Sequence, residues 1–271
     1  MSEPEVSVLI PNYKTPDITR LCMRLLRKHT DPARIRVIAI DNGSEDASLD
    51  YLRSLTWIQL IERRAEPDDT PSLSHARALD LAMERVETPL VLSFHTDTFV
   101  LNSRWLDFLI HQIDRSSDIA GVGSWKLESK PWHKRLAKNV ERHFQSVGYR
   151  LLGRDLSRVE GTAAHRKYLR SHCAMYRTEL LRRYRLTFSA DRDTAGRVLH
   201  QRLVEAGHRM VFLPSEVLSR YVVHLNHATM VINPELGARK ASIDKGLKRI
   251  RRVLDDLGAE AILADASLDG P

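Results

Sequence analysis

Two aspartates each stand behind an apolar run, and that placement is the chemical signal of this chain. Ile35 to Ile40 ends on Asp41-Asn42-Gly43-Ser44, and Pro89 to Phe94 leads through His95-Thr96 to Asp97. Apolar runs of this length read as buried strands. In an open α/β sheet, ligands bind in the crevice outside the carboxyl ends of the strands. A carboxylate there can accept a hydrogen bond from a pyrimidine N–H or a ribose hydroxyl, which is the role open to Asp41 beside a plain Asx-turn. It can also hold a hard divalent cation together with substrate phosphates, which is the role open to Asp97. His95 is either a further nitrogen ligand, better suited to Mn²⁺ than to Mg²⁺, or a satisfied, half-buried histidine. Two acids at one rim suggest a nucleotide and its metal.

The elements that must position these acids alternate. Val6 to Pro11 reads as a first strand, Ile35 to Ile40 as a second, Trp57 to Ile61 as a third, Pro89 to Phe94 as a fourth and Ile119 to Val122 as a short fifth. Helical stripes lie between them. Thr15-Pro16-Asp17 reads as a helix start, with Thr15 as cap and Ile18, Leu21, Cys22, Leu25 and Leu26 on the buried face. Thr70-Pro71 starts another helix, and Trp105 to Ile113 forms the next. Strand–helix alternation at this spacing means βαβ units, a mainly parallel sheet and right-handed crossovers. Further on, His172 to Tyr176, Met210 to Leu213 and Val217 to His224 read as strands, and Gly196 to Ala206 as a helix ending at Gly207. Ile243, Leu247, Ile250, Leu254 and Leu257 stripe a last helix, and the tail after Ala264 is expected to fray.

Bulk composition narrows the partners. Of the net charge of +7, residues 126–185 supply 16 Lys/Arg against 5 Asp/Glu, so that segment is +11 and the remainder −4. A negatively charged partner is expected to face it. Within it, residues 132–150 have a basic amphipathic pattern, with Lys134, Arg135 and Lys138 off the apolar face, that fits either a membrane surface or packing on the main domain. The basic residues are not interleaved with stacking aromatics, so nucleic acid is not the expected partner. Cys22 and Cys173 are too far apart for a disulfide framework or a zinc spacing and read as reduced, buried thiols. With an acidic start that lacks an apolar signal region and no run long enough to span a bilayer, a cytoplasmic protein is expected, in peripheral contact with the inner face of the membrane if the basic segment meets lipid.

The ordered set of segments resembles family 2 of the glycosyltransferases. Val6-Ser7-Val8-Leu9-Ile10-Pro11-Asn12-Tyr13 is similar to that family's opening strand, and Val37-Ile38-Ala39-Ile40-Asp41-Asn42-Gly43-Ser44-Glu45-Asp46 to its second-strand motif. Ser74-His75-Ala76-Arg77 resembles its Ala-Arg-Asn helix start, and His95-Thr96-Asp97 sits where its DXD motif sits. Glu205 to Pro214 resembles the segment after its catalytic acid, and His224 falls near its late histidine. The resemblance implies an α/β GT-A fold, with a Rossmann-like, mixed but mainly parallel central sheet flanked by helices, that uses a nucleotide-diphosphate sugar. Residues 1–125 would form the donor half, 126–235 the acceptor half of the same domain, and 236–271 a C-terminal helix and tail. Asp41 would hold the base, with Pro11, Asn12, Tyr13, Asn42 and Thr96 lining the nucleotide pocket. Arg77 would approach the diphosphate or order nearby acids. Asp97 would ligate Mn²⁺ or Mg²⁺, with His95, His224 and His227 as further candidate ligands.

Three positions depart from the family pattern. His95 replaces the first acid of DXD, and Ala78 replaces the Asn after Arg77. The usual Glu-Asp pair falls on Ala195-Gly196, which cannot take a proton, so the expected base moves upstream to Asp193 or, second, Asp191. An inverting single displacement onto an acceptor hydroxyl is the expectation, the acceptor being anionic or lipid-linked if the basic segment faces it. The alternative is a catalytically degenerate GT-A protein that binds a sugar nucleotide or an anionic partner without turnover.

Overall fold

A computed structural model describes residues 3–127, 167–226, 228–236 and 240–270. The helix expected over residues 132–150 and His227 lie outside the described residues. Among the described residues, seven strands form one sheet: β1 (Val6–Asn12), β2 (Ile35–Asp41), β3 (Ile58–Glu62), β4 (Leu90–Phe94), β6 (Ile119–Gly123), β7 (Cys173–Arg177) and β8 (Arg209–Phe212). Their spatial order is β3-β2-β1-β4-β7-β6-β8. The sheet is parallel throughout except for β7, which runs antiparallel to both β4 and β6. The mixed, mainly parallel α/β architecture expected from the sequence is therefore the one observed.

Helices cover both faces, which is why the strands are apolar without alternation. Val8 and Ile10 of β1 face α1 (Pro16–His29) and α4 (Trp105–Ile113), in a core with Leu21, Leu25, Trp105 and Leu109. Leu9, Ile38 and Ile40 point the other way, onto Ala76, Leu79 and Ala82 of α3 (Pro71–Met83) and Leu199 and Leu203 of α6 (Arg197–Glu205). Between these run α2 (Ala47–Ser54) and α5 (Thr178–Arg183). Cys22 and Cys173 are both free and buried. No helix of the described residues is long and apolar enough to cross a membrane.

Five expectations change. A short strand β5 (Thr98–Val100) follows Asp97 directly and pairs antiparallel with β9 (Val222–His224), forming a second small sheet. The run read as one strand from Val217 to His224 is instead the end of α7 (Ser215–Leu218), a turn, and β9. The side chain of Thr15 does not cap α1, because its hydroxyl lies 3.1 Å from that of Thr19, inside a buried polar network. The tail does not fray at Ala264. After α8 (Ala228–Ile232), α9 (Lys240–Asp256) and α10 (Ala259–Ala264), the turn Ala266–Asp269 is pinned by the buried Arg24. Arg24 donates to the carbonyls of Ile262 and Leu263 and forks onto the Asp269 carboxylate, which also accepts from the Tyr51 hydroxyl at 2.7 Å. Leu247, expected on the apolar stripe of α9, is exposed.

The antiparallel β7 matters most for function. Its first residue, Cys173, lies opposite Phe94, the last of β4. Residues that enter β7 thus arrive at the rim where β1, β2, β4 and β6 end. Gly123 at the end of β6 permits this approach, since a Cβ there would stand 2.8 Å from the Cys173 carbonyl oxygen.

Candidate functional site

One end of the rim is built on Asp41, and its carboxylate is fully used by the protein. Oδ1 accepts from Asn12 Nδ2 at 2.7 Å and from Ser44 Oγ at 2.5 Å, while Oδ2 accepts from the backbone N–H groups of Gly43 at 3.1 Å and Ser44 at 2.9 Å. Gly43 adopts φ +75°, the left-handed turn that lets both amides point back. Asn12 also donates to Ser48 Oγ at 2.9 Å and accepts from Thr19 Oγ1 at 2.6 Å. The Asx-turn and the cross-strand bond knit the ends of β1 and β2 together. Pro11 is buried beside Ile40, Tyr13 is half-buried just beyond the strand end, and Asn42 Oδ1 accepts from Arg63 at 3.1 Å. Arg77 contacts Glu66, Asp68 and Asp69 at 2.8, 2.9 and 2.7 Å.

The other end is built on Asp97, and its chemistry is different. Oδ2 accepts from the Ala228 N–H at 3.0 Å. Oδ1 lies 3.0 Å from His224 Nε2 and 3.6 Å from His95 Nδ1. The His224 nitrogen is buried and, despite that distance, off line for a hydrogen bond, so it has no hydrogen-bond partner. His224 is brought beside Asp97 by the β5–β9 pairing, in which Thr98 faces His224. Its Nδ1 lies 3.2 Å from Asn226 Oδ1, and in the neutral tautomer that donates there Nε2 carries the lone pair. Thr96, also expected to line the nucleotide pocket, is buried between the two ligand candidates.

Two histidines that the sequence did not mark join them. His172 precedes β7 and stacks on His224 with ring centroids 4.7 Å apart, and its Nε2 lies 2.9 Å from Ser124 Oγ. Its carbonyl takes the N–H of His95 and the hydroxyl of Thr98. His75, on α3, packs edge-on to His95 at 4.6 Å, and both rings share Ser171 Oγ, at 3.2 and 3.0 Å. The spacing of His172 to its partners is a long-range consequence of β7 running backwards, so no local signal could have found it.

The electrostatics suit a cation. Burial opposes ionisation of Asp97, yet His224 when it carries a proton, together with the contact to His95, outweighs it and holds the carboxyl well below its usual range, so positive charge at this point favours the carboxylate. Burial pushes His75, His95 and His172 down, so these rings stay neutral and keep a lone pair. His95, Asp97 and His224 offer ligand atoms that all lie within 4.8 Å of one another. One hard oxygen and two borderline nitrogens, one of them without a partner, fit a divalent ion such as Mn²⁺ or Mg²⁺.

The acids expected to act as base are placed differently. Asp193 is half-buried just before α6, accepts from the Thr194 N–H at 2.6 Å and stands 3.4 Å from Arg197. Asp191 is exposed, in a left-handed turn, 3.9 Å from Arg202. Neither belongs to the histidine cluster.

The model of the family described as "Glycosyl transferase family 2" matches residues 7–185. The chain belongs to this family. No curated protein sequence matches it. Among solved structures, a mannosyltransferase from Pyrobaculum calidifontis, in complex with GDP-Man and Mn²⁺, is 16% identical with a TM-score of 0.58, over 98% of this chain and 71% of that one. TarS 1–349 of S. aureus is 15% identical with a TM-score of 0.53, over 90% of this chain and 70% of that one. The fold of this family 2 chain is accordingly GT-A.

Proposed function

We propose that this protein transfers a sugar from a nucleotide-diphosphate sugar to an acceptor hydroxyl, with inversion at the anomeric carbon, using a divalent cation, Mn²⁺ or Mg²⁺. The observation that carries this reading is the rim itself, with the Asp97–His95–His224 cluster two strands from the Asp41 turn. Family membership and relatives captured with GDP-Man or with UDP-GlcNAc support it.

In this reading residues 1–125 hold the donor, 126–235 meet the acceptor and 236–271 brace the site from behind. The Asn12–Asp41–Gly43 turn, with Pro11, Tyr13, Asn42 and Thr96, receives the nucleoside. Asp97, His224 and His95 would hold the cation, with His227 as a further candidate. When bound, the ion would offset charge on the departing diphosphate. Asp193 accepts the proton of the acceptor hydroxyl, with Asp191 as second candidate. The hydroxyl oxygen attacks the anomeric carbon in line, and the bond to the diphosphate oxygen breaks. Asp193 suits the role because a Cβ added at Gly196, three residues on, would stand 3.6 Å from the Tyr176 hydroxyl and 3.9 Å from the Leu169 carbonyl, so this turn lies close to the residues that enter the site. The basic balance of residues 126–185 favours an anionic or lipid-linked acceptor, met in the cytoplasm or at the inner membrane face.

The test is turnover of a panel of UDP-, GDP- and dTDP-sugars with Mn²⁺, with the anomeric configuration of the product read by NMR. Wild type should give inverted product. Asp97→Asn should lose at least about 10³-fold in kcat/KM while staying folded. Retained configuration, or full metal-dependent turnover by Asp97→Asn, would refute the proposal.

A further inference from the structure

Arg170 stands at the same rim, and among the described residues no acid answers its charge. It is the first of three consecutive residues, Arg170-Ser171-His172, that lead into β7, and its backbone N–H is tied to the Ser124 carbonyl at 3.0 Å. Ser171 binds both His75 and His95, and His172 stacks on His224, so the guanidinium leaves the chain immediately beside the cation cluster. It lies over the ring of Trp125 at 4.7 Å and near that of Tyr168 at 5.5 Å, and the two rings meet edge-on at 4.9 Å. Its Nε is buried and has no hydrogen-bond partner, and among the described residues no carboxylate pairs with it.

Three other arginines among the described residues are answered by acids. Arg24 forks onto Asp269, Arg63 meets Asp69, and Arg77 meets three acids. An arginine placed over aromatic rings keeps its charge and its fork of N–H donors, and a planar fork matches phosphate oxygens. Stacking also removes rotamer freedom before any ligand arrives, which lowers the entropy lost on binding. Burial is the main reason that His95 and His172 stay neutral, and the Arg170 charge adds to it, so its field reaches the cluster.

We infer that Arg170, clamped by Trp125 and Tyr168, is a phosphate-binding residue of this site. The inference deepens the proposed function and rests on it for the identity of the ligand, whose phosphate belongs either to the donor diphosphate or to a phosphorylated acceptor. The two sources share one chemistry, an oxyanion received by the guanidinium fork. A clamp serving only to pack Trp125 would leave phosphate affinity untouched, and that contrast defines the test.

The experiment is calorimetry on the full chain, wild type against Arg170→Met and Arg170→Lys. The first titrant is Mn²⁺ alone, the second inorganic pyrophosphate with Mn²⁺ present, the third UDP and GDP, and the fourth glycerol phosphate added to protein saturated with pyrophosphate and Mn²⁺. Arg170→Met should bind Mn²⁺ within about twofold of wild type yet lose about 10- to 100-fold in the pyrophosphate arm, with Arg170→Lys in between. Loss confined to the glycerol phosphate arm assigns the same fork to the acceptor's phosphate. Unchanged affinity in both phosphate arms overturns the inference, and so does an Arg170→Lys variant that keeps its fold but matches Arg170→Met in losing Mn²⁺ as well. Failure of the proposed function has a separate signature, a wild type that binds pyrophosphate but neither UDP nor GDP.

Discussion

Asp41 ends β2 and Asp97 follows β4, the strands on either side of β1, and the two are almost equally buried, at 1% and 4% exposed, yet the protein treats them in opposite ways. Asp41 accepts four hydrogen bonds from neutral donors, every one supplied by residues within its own turn or by the neighbouring strand. Asp97 accepts one backbone N–H and otherwise faces imidazole nitrogens at distances and angles that leave at least one of them without a partner. The first arrangement is finished without a ligand. The second leaves a buried nitrogen without a hydrogen-bond partner, which the proposed cation would engage. Similar burial thus accompanies a carboxylate satisfied by its own turn and one that is not, the contrast on which the proposed roles of the two rest.

The sharpest way to break this comparison is to remove each carboxylate and measure stability without metal. Asp41→Ala strands the backbone N–H groups of Gly43 and Ser44 and takes one partner each from Asn12 Nδ2 and Ser44 Oγ in a buried turn, and should cost about 3 kcal/mol or more in urea unfolding. Asp97→Ala strands one backbone N–H and removes a buried charge, so its cost in the same buffer should stay within about 1 kcal/mol. Equal losses would show that Asp97 is as structural as Asp41. Adding Mn²⁺ should raise the melting temperature of Asp41→Ala but not that of Asp97→Ala.

The same contrast extends to the histidines. His200 on α6 is buried away from the cluster, and its Nδ1 accepts the N–H of Leu169 at 3.3 Å. Burial lowers its pKa to about 4, from an ordinary value of 6.5. The unfolded chain therefore takes up a proton below about pH 6.5, while the folded protein refuses it until about pH 4. Stability from this group is complete above pH 6.5 and is lost as pH falls through that interval, by at most about 3 kcal/mol. His200→Gln keeps an acceptor for Leu169 but does not titrate, so its stability should fall less than that of wild type between pH 6.5 and 4.5. An identical pH slope in both proteins would mean that His200 is protonated in the folded state.

How much of this could be read from the residues alone depends on whether each signal is local. The βα alternation up to Val122 was legible, because strands covered on both faces must be apolar runs and the helices between them keep their stripes. The three-residue β5 was not, since Thr98-Phe99-Val100 follows Asp97 with no breaker to announce it. The run from Val217 to His224 misled for the opposite reason, as two short elements of different kinds share one apolar stretch. At the site, Asp97, His95 and His224 were marked by order along the chain. Ser124, Arg170, Ser171 and His172 were not, because only the antiparallel entry of β7 beside β4 and β6 brings them to the rim, and strand direction leaves no mark in composition.

The smallest expected effect tests what His95 does to that open half of the comparison. Its Nδ1 faces Asp97 at 3.6 Å while its Nε2 is occupied by Ser171, an arrangement that presents one nitrogen to a shared ion. His95→Asp would place a second hard oxygen there and restore the acid that the resemblance leads one to expect. Magnesium takes oxygen ligands and dehydrates reluctantly, whereas Mn²⁺ accepts imidazole more readily, so the exchange should raise Mg²⁺ affinity about tenfold and alter Mn²⁺ affinity less. Without a cation the two carboxylates would repel each other, so the variant should melt lower than wild type in chelator and recover when metal is added. Calorimetry with each ion reads the first effect, and melting with and without chelator reads the second. Unchanged preference between the ions would make His95 a packing partner of His75, and the binding half of the rim would then reduce to Asp97 and His224.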